Sequence, residues 1–256
     1  METSQLPARP CLVVSQPMYF PWVGMLEQIR RSDIFVHYDD VQFSRGGFCN
    51  RVQIKTQQGI RWLTVPLPGQ KHGQNINEIL LGKDAKWQSS HIDQLKQAYV
   101  AAPFKKDMLA VVDSVFALPN KTLADLTRAS VEALIRYFPG LGDNKRILRS
   151  STLGIPGSST QRLINLCDAL EIGTYVTGHG ARNYLDHEAF ETRGVTVSYM
   201  DYGLKSYPQL HGAFTPYVSA LDLIANRGPA GIAEIGTQTS PWREFLARVT
   251  PMPQET

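Results

Sequence analysis

The polar residues able to do chemistry fall into four loops, each behind or beside an apolar run. The first is Ser15-Gln16-Pro17-Met18-Tyr19-Phe20-Pro21-Trp22-Val23-Gly24. Its two prolines bar it from helix interior and central strand. Gln16 offers a donor and an acceptor, Tyr19 and Trp22 offer flat faces for a ring, and Gly24 lets the backbone approach a ligand closely. The second loop closes His37-Tyr38-Asp39-Asp40-Val41-Gln42. A carboxylate here could bind an amine or ribose hydroxyls, hold Mg²⁺ through waters, or act as a base. Adjacent residues of an extended chain point to opposite sides, so one of Asp39 and Asp40 is expected to face the crevice that Gln16 faces. The competing reading makes the pair an Asx turn and cap.

The third loop, Arg45-Gly46-Gly47-Phe48-Cys49-Asn50-Arg51, sets two guanidinium groups around flexible glycines. Arg45 and Arg51 could each grip a phosphate or carboxylate bidentately, or pair with the aspartates. The fourth element is a pair of later loops. Gly154-Ile155-Pro156-Gly157-Ser158-Ser159-Thr160 runs into a helix start, where backbone N–H groups attract anions, and Ser159 is its candidate ligand. Gly178-His179-Gly180 follows a strand and makes His179 the candidate acid–base residue.

The elements that must position these loops can be read from periodicity. Cys11–Ser15 and Ile34–Tyr38 read as buried strands flanking a helix at Gly24–Arg31, which is βαβ grammar. Val52–Thr56 and Arg61–Val65 read as a hairpin, and Ile76–Leu81 as a third short strand. Helices follow at Asp84–Ala101, Lys105–Leu118 and Leu123–Phe138, with Asp84 and Asn120 as candidate N-caps. Strands at Lys145–Ser150, Thr174–Thr177 and Val195–Met200 alternate with a helix capped by Ser158-Ser159-Thr160 and running to about Leu170 and with one over Asn183–Arg193. Helices at Tyr217–Asn226 and Ser240–Val249 end the chain. The expected fold is α/β: one domain over residues 1–256, a mostly parallel sheet with helices on both faces, with a hairpin and helical segment inserted at about 48–140.

Composition narrows the function. Of 256 residues 19% are charged and the net charge is +3, with no long basic run, which argues against a nucleic-acid stripe. The three cysteines, Cys11, Cys49 and Cys167, are too far apart for a metal knuckle or disulfide framework, and His72 and His91 lack partners at ligand spacing. No metal site is expected. The first ten residues lack the apolar core of a secretory signal and no run is long enough to span a bilayer, so the expected location is the cytoplasm. The patterns HExxH, GxSxG and GxGxxG do not occur, nor does a P-loop lysine.

The string Gln16-Pro-Met-Tyr-Phe-Pro-Trp-Val-Gly24 resembles the opening signature of the WbqC-like family. So do Tyr38-Asp-Asp-Val-Gln42, Asn50-Arg51, Trp62-Leu-Thr-Val-Pro66, Arg149-Ser150-Ser151, Gly178 to Leu185, Tyr207-Pro-Gln209 and Leu221-Asp-Leu. The resemblance covers nearly the whole chain. It implies a setting in O-antigen, capsule or natural-product biosynthesis, and glycyl or other aminoacyl transfer. It carries over Gln16, Tyr19, Asp39, Asp40, Gln42, Asn50, Arg51, Gln209 and Asp222 as site residues.

The expected function is transfer of a small acyl or aminoacyl group onto an amine of an activated amino sugar or related metabolite. Gln16 and Tyr19 would orient substrate, Asp39 or Asp40 would bind or deprotonate the amine, and Arg51 would grip an anionic group. Expected partners are a small molecule such as a nucleotide-sugar and a carrier-protein-bound or tRNA-bound acyl donor. One alternative is an ATP- and Mg²⁺-dependent ligase or nucleotidyltransferase of the adenylate-forming kind, similar in its strand, Pro/aromatic loop and Gly-opened helix, although Pro21-Trp22-Val23-Gly24 lacks that kind's histidines. Another is a non-catalytic binding subunit.

Overall fold

The computed structural model describes residues 9–84 and 86–249. The segment 1–8, most of the stretch tested above for a signal sequence, lies outside the described residues.

The chain opens as expected: β1 (Cys11–Ser15), α1 (Val23–Arg31) and β2 (Ile34–His37). A hairpin of β3 (Arg51–Thr56) and β4 (Gly59–Thr64) follows, then α2 (Lys86–Ala98), α3 (Lys105–Phe116) and α4 (Leu123–Tyr137). The sheet resumes with β5 (Arg146–Arg149), followed by α5 (Ser150–Leu153), α6 (Ser159–Ala169), β6 (Thr174–Thr177), α7 (His187–Glu191) and β7 (Thr196–Met200). Last come α8 (Ala220–Arg227), β8 (Thr239–Pro241) and α9 (Trp242–Val249). The six strands of the main sheet lie in the order β5-β2-β1-β6-β7-β8. All neighbours run parallel except β8, which is antiparallel to β7. The fold is thus α/β with a mostly parallel sheet.

Strand alternation builds the two faces. Val13, Phe35, Val176 and Met200 pack with Met25, Leu26 and Ile29 of α1 and with the helical insertion. Leu12, Val14, Val36, Tyr175 and Tyr199 point the other way, onto Leu163 and Cys167 of α6, Phe190 of α7 and Phe245 of α9. Strands covered on both faces must be apolar at nearly every position, which is why Cys11–Val14 and Ile34–Val36 read as unbroken apolar runs.

Several local expectations are corrected. Ile76–Leu81 is not a strand: Ile76–Glu78 is a 3₁₀ turn whose Glu78 carboxylate accepts the Asn75 N–H at 3.0 Å. α4 is capped by Thr122, whose hydroxyl accepts the Asp125 N–H, rather than by Asn120, which donates to the Val115 carbonyl. Of Asn183–Arg193 only His187–Glu191, the short α7, is α-helix, and Asn183 ends a 3₁₀ segment, His179–Asn183. The helix expected at Tyr217 starts at Ala220, capped by the Ser219 hydroxyl. The last helix is preceded by an edge strand ending in Pro241, where a missing N–H costs no sheet bond. No described helix is long and apolar enough to cross a membrane.

Candidate functional site

The two opening loops leave neighbouring parallel strands at the same end. Ser15 is in register with His37, and the Tyr38 N–H donates to the Ser15 carbonyl at 2.8 Å. Counting only the parallel strands in chain order, their arrangement is 3-2-1-4-5, so the winding direction reverses between β1 and β6. Adjacent crossovers part at such a point and leave a crevice at the carboxyl ends of the strands. A cleft of about 300 Å³ lies there. Val14 and Tyr175 form its floor, Tyr38, Val41 and Gln42 one wall, and Gly157, Ser158, Ser159 and Arg162 the other, with Tyr184 also lining it.

The start of α6 is shaped unusually. A helix leaves its first N–H groups without intrahelical acceptors, and a side-chain cap normally serves one. Ser158 makes no such bond, and no acidic residue lies in the first turn. Ser159 stands at φ +47°, a left-handed conformation that a serine adopts only under strain. Gly157, at φ +118°, is required for close approach, since a Cβ there would lie 3.1 Å from the Arg162 Cα. The Thr160 hydroxyl accepts the Asp186 N–H at 3.1 Å and donates to the Tyr184 carbonyl at 3.4 Å, tying the Tyr184 wall to the helix start. Exposed Tyr184 thus faces an uncapped, positively polarised turn.

The twin aspartates sit behind this wall. Asp39 is fully buried; its carboxylate accepts from Arg128 Nη1 at 2.6 Å and from the Ser151 N–H and hydroxyl at 3.0 Å each. Asp40 accepts from the Ser150 hydroxyl at 2.5 Å and from Arg162 Nη2 at 2.6 Å. Ser150 Oγ in turn accepts the Asp39 N–H at 3.1 Å, so one serine joins both residues to α5. Burial pushes the Asp40 carboxyl up, but the Arg162 and Ser150 hydrogen bonds outweigh it and hold it below its ordinary value. Asp40 is therefore a fixed negative charge at neutral pH. Arg162 is oriented by it, with Nε donating to the Ile155 carbonyl and the guanidinium 5.0 Å from the Tyr38 ring centroid.

Of the candidate residues, Gln42 and Ser159 line the cleft, and Asp40 stands one hydrogen bond behind it through Arg162. Gln16, half-buried at the end of β1, has no side-chain hydrogen bond among the described residues. The others are not brought to the cleft. Tyr19 is buried, its hydroxyl 3.0 Å from His91 Nδ1. Trp22 packs on Tyr202 and Tyr217, and with Gly24 lines a separate small cavity at the start of α1. A Cβ on Gly24 would lie 2.3 Å from the Trp22 ring, so this glycine serves packing. His179 is held by the Met200 carbonyl at 2.7 Å and packs on Phe245.

Arg45 bonds Gln70, and Asn50 bonds the Val65 carbonyl. Arg51 lies over Trp62, 4.2 Å from the ring centroid. Gln209 joins a buried network in which Asp222 accepts from the Tyr99 and Tyr207 hydroxyls and Lys55 donates to Gln209. Among the described residues no cluster of three or more metal-ligating side chains occurs. Sequence reasoning missed Arg162 and Tyr175. Arg162 could have been found as the residue one turn into a helix already singled out; Tyr175 needs the strand order.

These features define a doubly wound α/β protein with a switch-point cleft walled by an uncapped helix start. The chain belongs to the WbqC-like protein family, whose profile matches residues 16–234. It is 35% identical over 222 residues to a protein of Mycobacterium tuberculosis named "Uncharacterized protein Rv1507c", covering 85% of this chain and 94% of that one. No solved structure matches the chain.

Proposed function

We propose that the protein transfers a small acyl or aminoacyl group onto an amine of a phosphate-bearing metabolite held in the switch-point cleft, a nucleotide-activated amino sugar being the acceptor class. The observation that carries this reading is the cleft itself. It joins an uncapped helix start beside Arg162 to tyrosine walls, which suits a ligand with a phosphate at one end and a ring at the other. Its volume of about 300 Å³ falls at the small end of ligand pockets. In this reading the α6 amides and Arg162 take the phosphate, Tyr38 and Tyr184 flank the ring, and Gln42 and Ser159 orient it. Asp40, held ionised, fixes Arg162 against the phosphate. The acceptor attacks as the free amine, its ammonium proton going to water, and the donor's carrier thiol or tRNA hydroxyl leaves as the acyl group is transferred. Such substrates are cytoplasmic metabolites of surface-polysaccharide or natural-product biosynthesis, and the reading places the protein there.

A second reading, an ATP- and Mg²⁺-dependent ligase or nucleotidyltransferase, is favoured by one feature, the 3-2-1-4-5 order with its cleft at the reversal. Phosphoryl and nucleotidyl chemistry relies mainly on positioning and charge, which this cleft could provide.

Thermal unfolding with nucleotide-sugars and with ATP–Mg²⁺ separates the two. Ligand at about 100 times Kd should add about 2.7 kcal/mol. The first reading expects stabilisation by nucleotide amino sugars and a mass increase of the acceptor when aminoacyl donors are added. Stabilisation by ATP–Mg²⁺ alone, with release of pyrophosphate or AMP, selects the second. Stabilisation by no phosphate-bearing ligand overturns both.

A further inference from the structure

On the opposite face of the sheet a second cavity lies where α1 meets the segments after β7 and before β8. Glu27 of α1 is 2% exposed. Its Oε1 accepts the Gly236 N–H at 3.0 Å, but its Oε2 is buried with no hydrogen-bond partner among the described residues. A buried carboxylate oxygen without a donor is costly and persists in folds that put something against it. A space of about 10 Å³ adjoins it, lined by Glu27, Trp22, Gly24, Tyr207 and Phe214, with exposed Leu204 and Lys205 on the rim. That is about the room one water-sized group needs.

Two glycines let the backbone pass close to the bonded side of the Glu27 carboxylate. A Cβ on Gly236 would lie 2.9 Å from both Glu27 Oε1 and Gln238 Oε1, and one on Gly203 would lie 3.7 and 3.9 Å from the same two atoms. Glu27 Oε1 and Gln238 Oε1 thus lie on this side, each with a backbone donor, and Oε2 is the carboxylate oxygen left without one among the described residues. The Gly236 N–H serves one, and the Thr237 N–H serves Gln238 at 3.2 Å. Lys205, the nearest cation on the rim, donates instead to the Ala233 carbonyl at 3.2 Å. Burial pushes the Glu27 carboxyl up, opposed in part by the Gly236 and Gly203 N–H groups and by Lys205.

We propose that this cavity binds a primary ammonium group, with Glu27 Oε2 as the acceptor and Trp22 and Phe214 as the apolar walls. A –NH₃⁺ group brings donors and a charge to a site with one buried carboxylate oxygen that lacks a partner among the described residues. Aromatic walls add cation–π attraction and exclude more strongly hydrated ions. The size admits the ammonium head and leaves the rest of the amine pointing out past Leu204 and Lys205. Lys205 is then the intramolecular competitor at the mouth. The site is separate from the switch-point cleft, and its occupancy does not depend on what that cleft binds.

The probe is methylammonium chloride, with sodium and tetramethylammonium chloride at equal ionic strength as controls, read by thermal unfolding and calorimetric titration. Wild type should show saturable stabilisation by methylammonium and none by tetramethylammonium, which has no N–H and is too large. In Glu27→Gln the amide oxygen can keep the Gly236 bond at the Oε1 position, and the amide nitrogen replaces Oε2, removing the charge and setting a donor where the ammonium needs an acceptor. This variant should fold with an unfolding midpoint at or above wild type and bind methylammonium at least about tenfold more weakly. Lys205→Met removes the competing cation and should bind methylammonium several-fold more tightly. Equal responses in wild type and Glu27→Gln would overturn the proposal. So would no response in either wild type or Lys205→Met, which would leave the cavity as the site of a water alone. Because the readout is amine binding, failure here leaves the nucleotide-cleft reading standing, and loss of nucleotide binding leaves this one standing.

Discussion

The aspartate pair and the start of α6 are neighbours joined by Arg162, yet they treat their polar groups in opposite ways. Around Asp39 and Asp40 every carboxylate oxygen has a partner, drawn from α4, α5 and α6. At the start of α6 the first turn has no capping side chain and Ser159 is held in a strained conformation. Satisfied polar groups hold elements in place, whereas unsatisfied ones in a cleft are left for a ligand. On this comparison the aspartates act as a clasp that fixes the wall and Arg162, and the helix start is the proposed binding point.

The largest effect should come from breaking the clasp. Arg128→Ala leaves fully buried Asp39 without its counter-ion and should cost about 3–5 kcal/mol, measured by urea unfolding. A loss below about 1 kcal/mol would mean that the Ser151 bonds alone suffice to hold the charge, and the comparison would fail on that side.

Acid should be the next strongest probe. His37 ends β2 behind the clasp, fully buried, with neither ring nitrogen hydrogen-bonded among the described residues and Glu132 Oε1 3.9 Å away. Burial first, then Arg128, lowers its pKa to about 4, against the pull of Asp39. Burial likewise lowers His91 to about 4, against a bond to the Thr64 backbone. Above the ordinary value of 6.5 both rings are neutral folded and unfolded, so stability is complete. Between 6.5 and about 4 the unfolded chain takes up protons that the folded chain refuses, so stability falls as pH falls, and it levels off below about 4. Each ring contributes up to about 3 kcal/mol over that window. Replacing His37 with Phe, which can pack against Phe35, should remove a large share of the pH dependence of the urea midpoint, with His91 and His187, both also lowered by burial, supplying the rest. An unchanged dependence would assign the acid sensitivity elsewhere.

Arg162 belongs to both regions, so its removal tests the link between them. Arg162→Met should cost about 1–3 kcal/mol through the unpaired Asp40 carboxylate, toward the lower end because Asp40 is partly exposed. It should also weaken nucleotide binding in the cleft, read by calorimetric titration. Lost stability with full binding would detach the clasp from the site.

The division of labour was only partly legible in the chain. The central strands and the βαβ opening were legible because two-sided burial demands unbroken apolar runs, and the hairpin because strand-like runs flank a short polar break with a glycine. The edge strand Thr239–Pro241 was not, being three residues of which the polar Ser240 is the buried one. The switch-point loops were placed at the right end of the sheet, and Gly157-Ser158-Ser159 was readable as a helix start able to meet an anion, but it reads as a capped one, and Ser158 makes no cap bond. The fate of the aspartates was not readable. Asp39 is paired with Arg128, 89 residues on, and Asp40 with Arg162, 122 residues on. A carboxylate's role depends on which cation folding brings to it, and no local pattern around residues 39–40 carries that information. Tyr19 misled for a related reason: its ring is aromatic-loop material in sequence, but its hydroxyl is spent on His91, 72 residues on.

The smallest effect should be the sharpest in sign. Ser159 sits at φ +47° on the cleft wall, and glycine takes that conformation without a Cβ penalty. Relief of strain is worth about 1–2 kcal/mol, and the freer unfolded chain takes back about 0.4–1 kcal/mol. Ser159→Gly should therefore raise stability by roughly 0.5–1 kcal/mol by the same reckoning. Nucleotide binding should move the other way, falling several-fold, because the turn that presents the α6 amides is less fixed and the hydroxyl is gone. A rise in stability with binding untouched would make the strain incidental. Falls in both would mean the serine hydroxyl supports the wall, and the contrast between clasp and cleft would have to be redrawn.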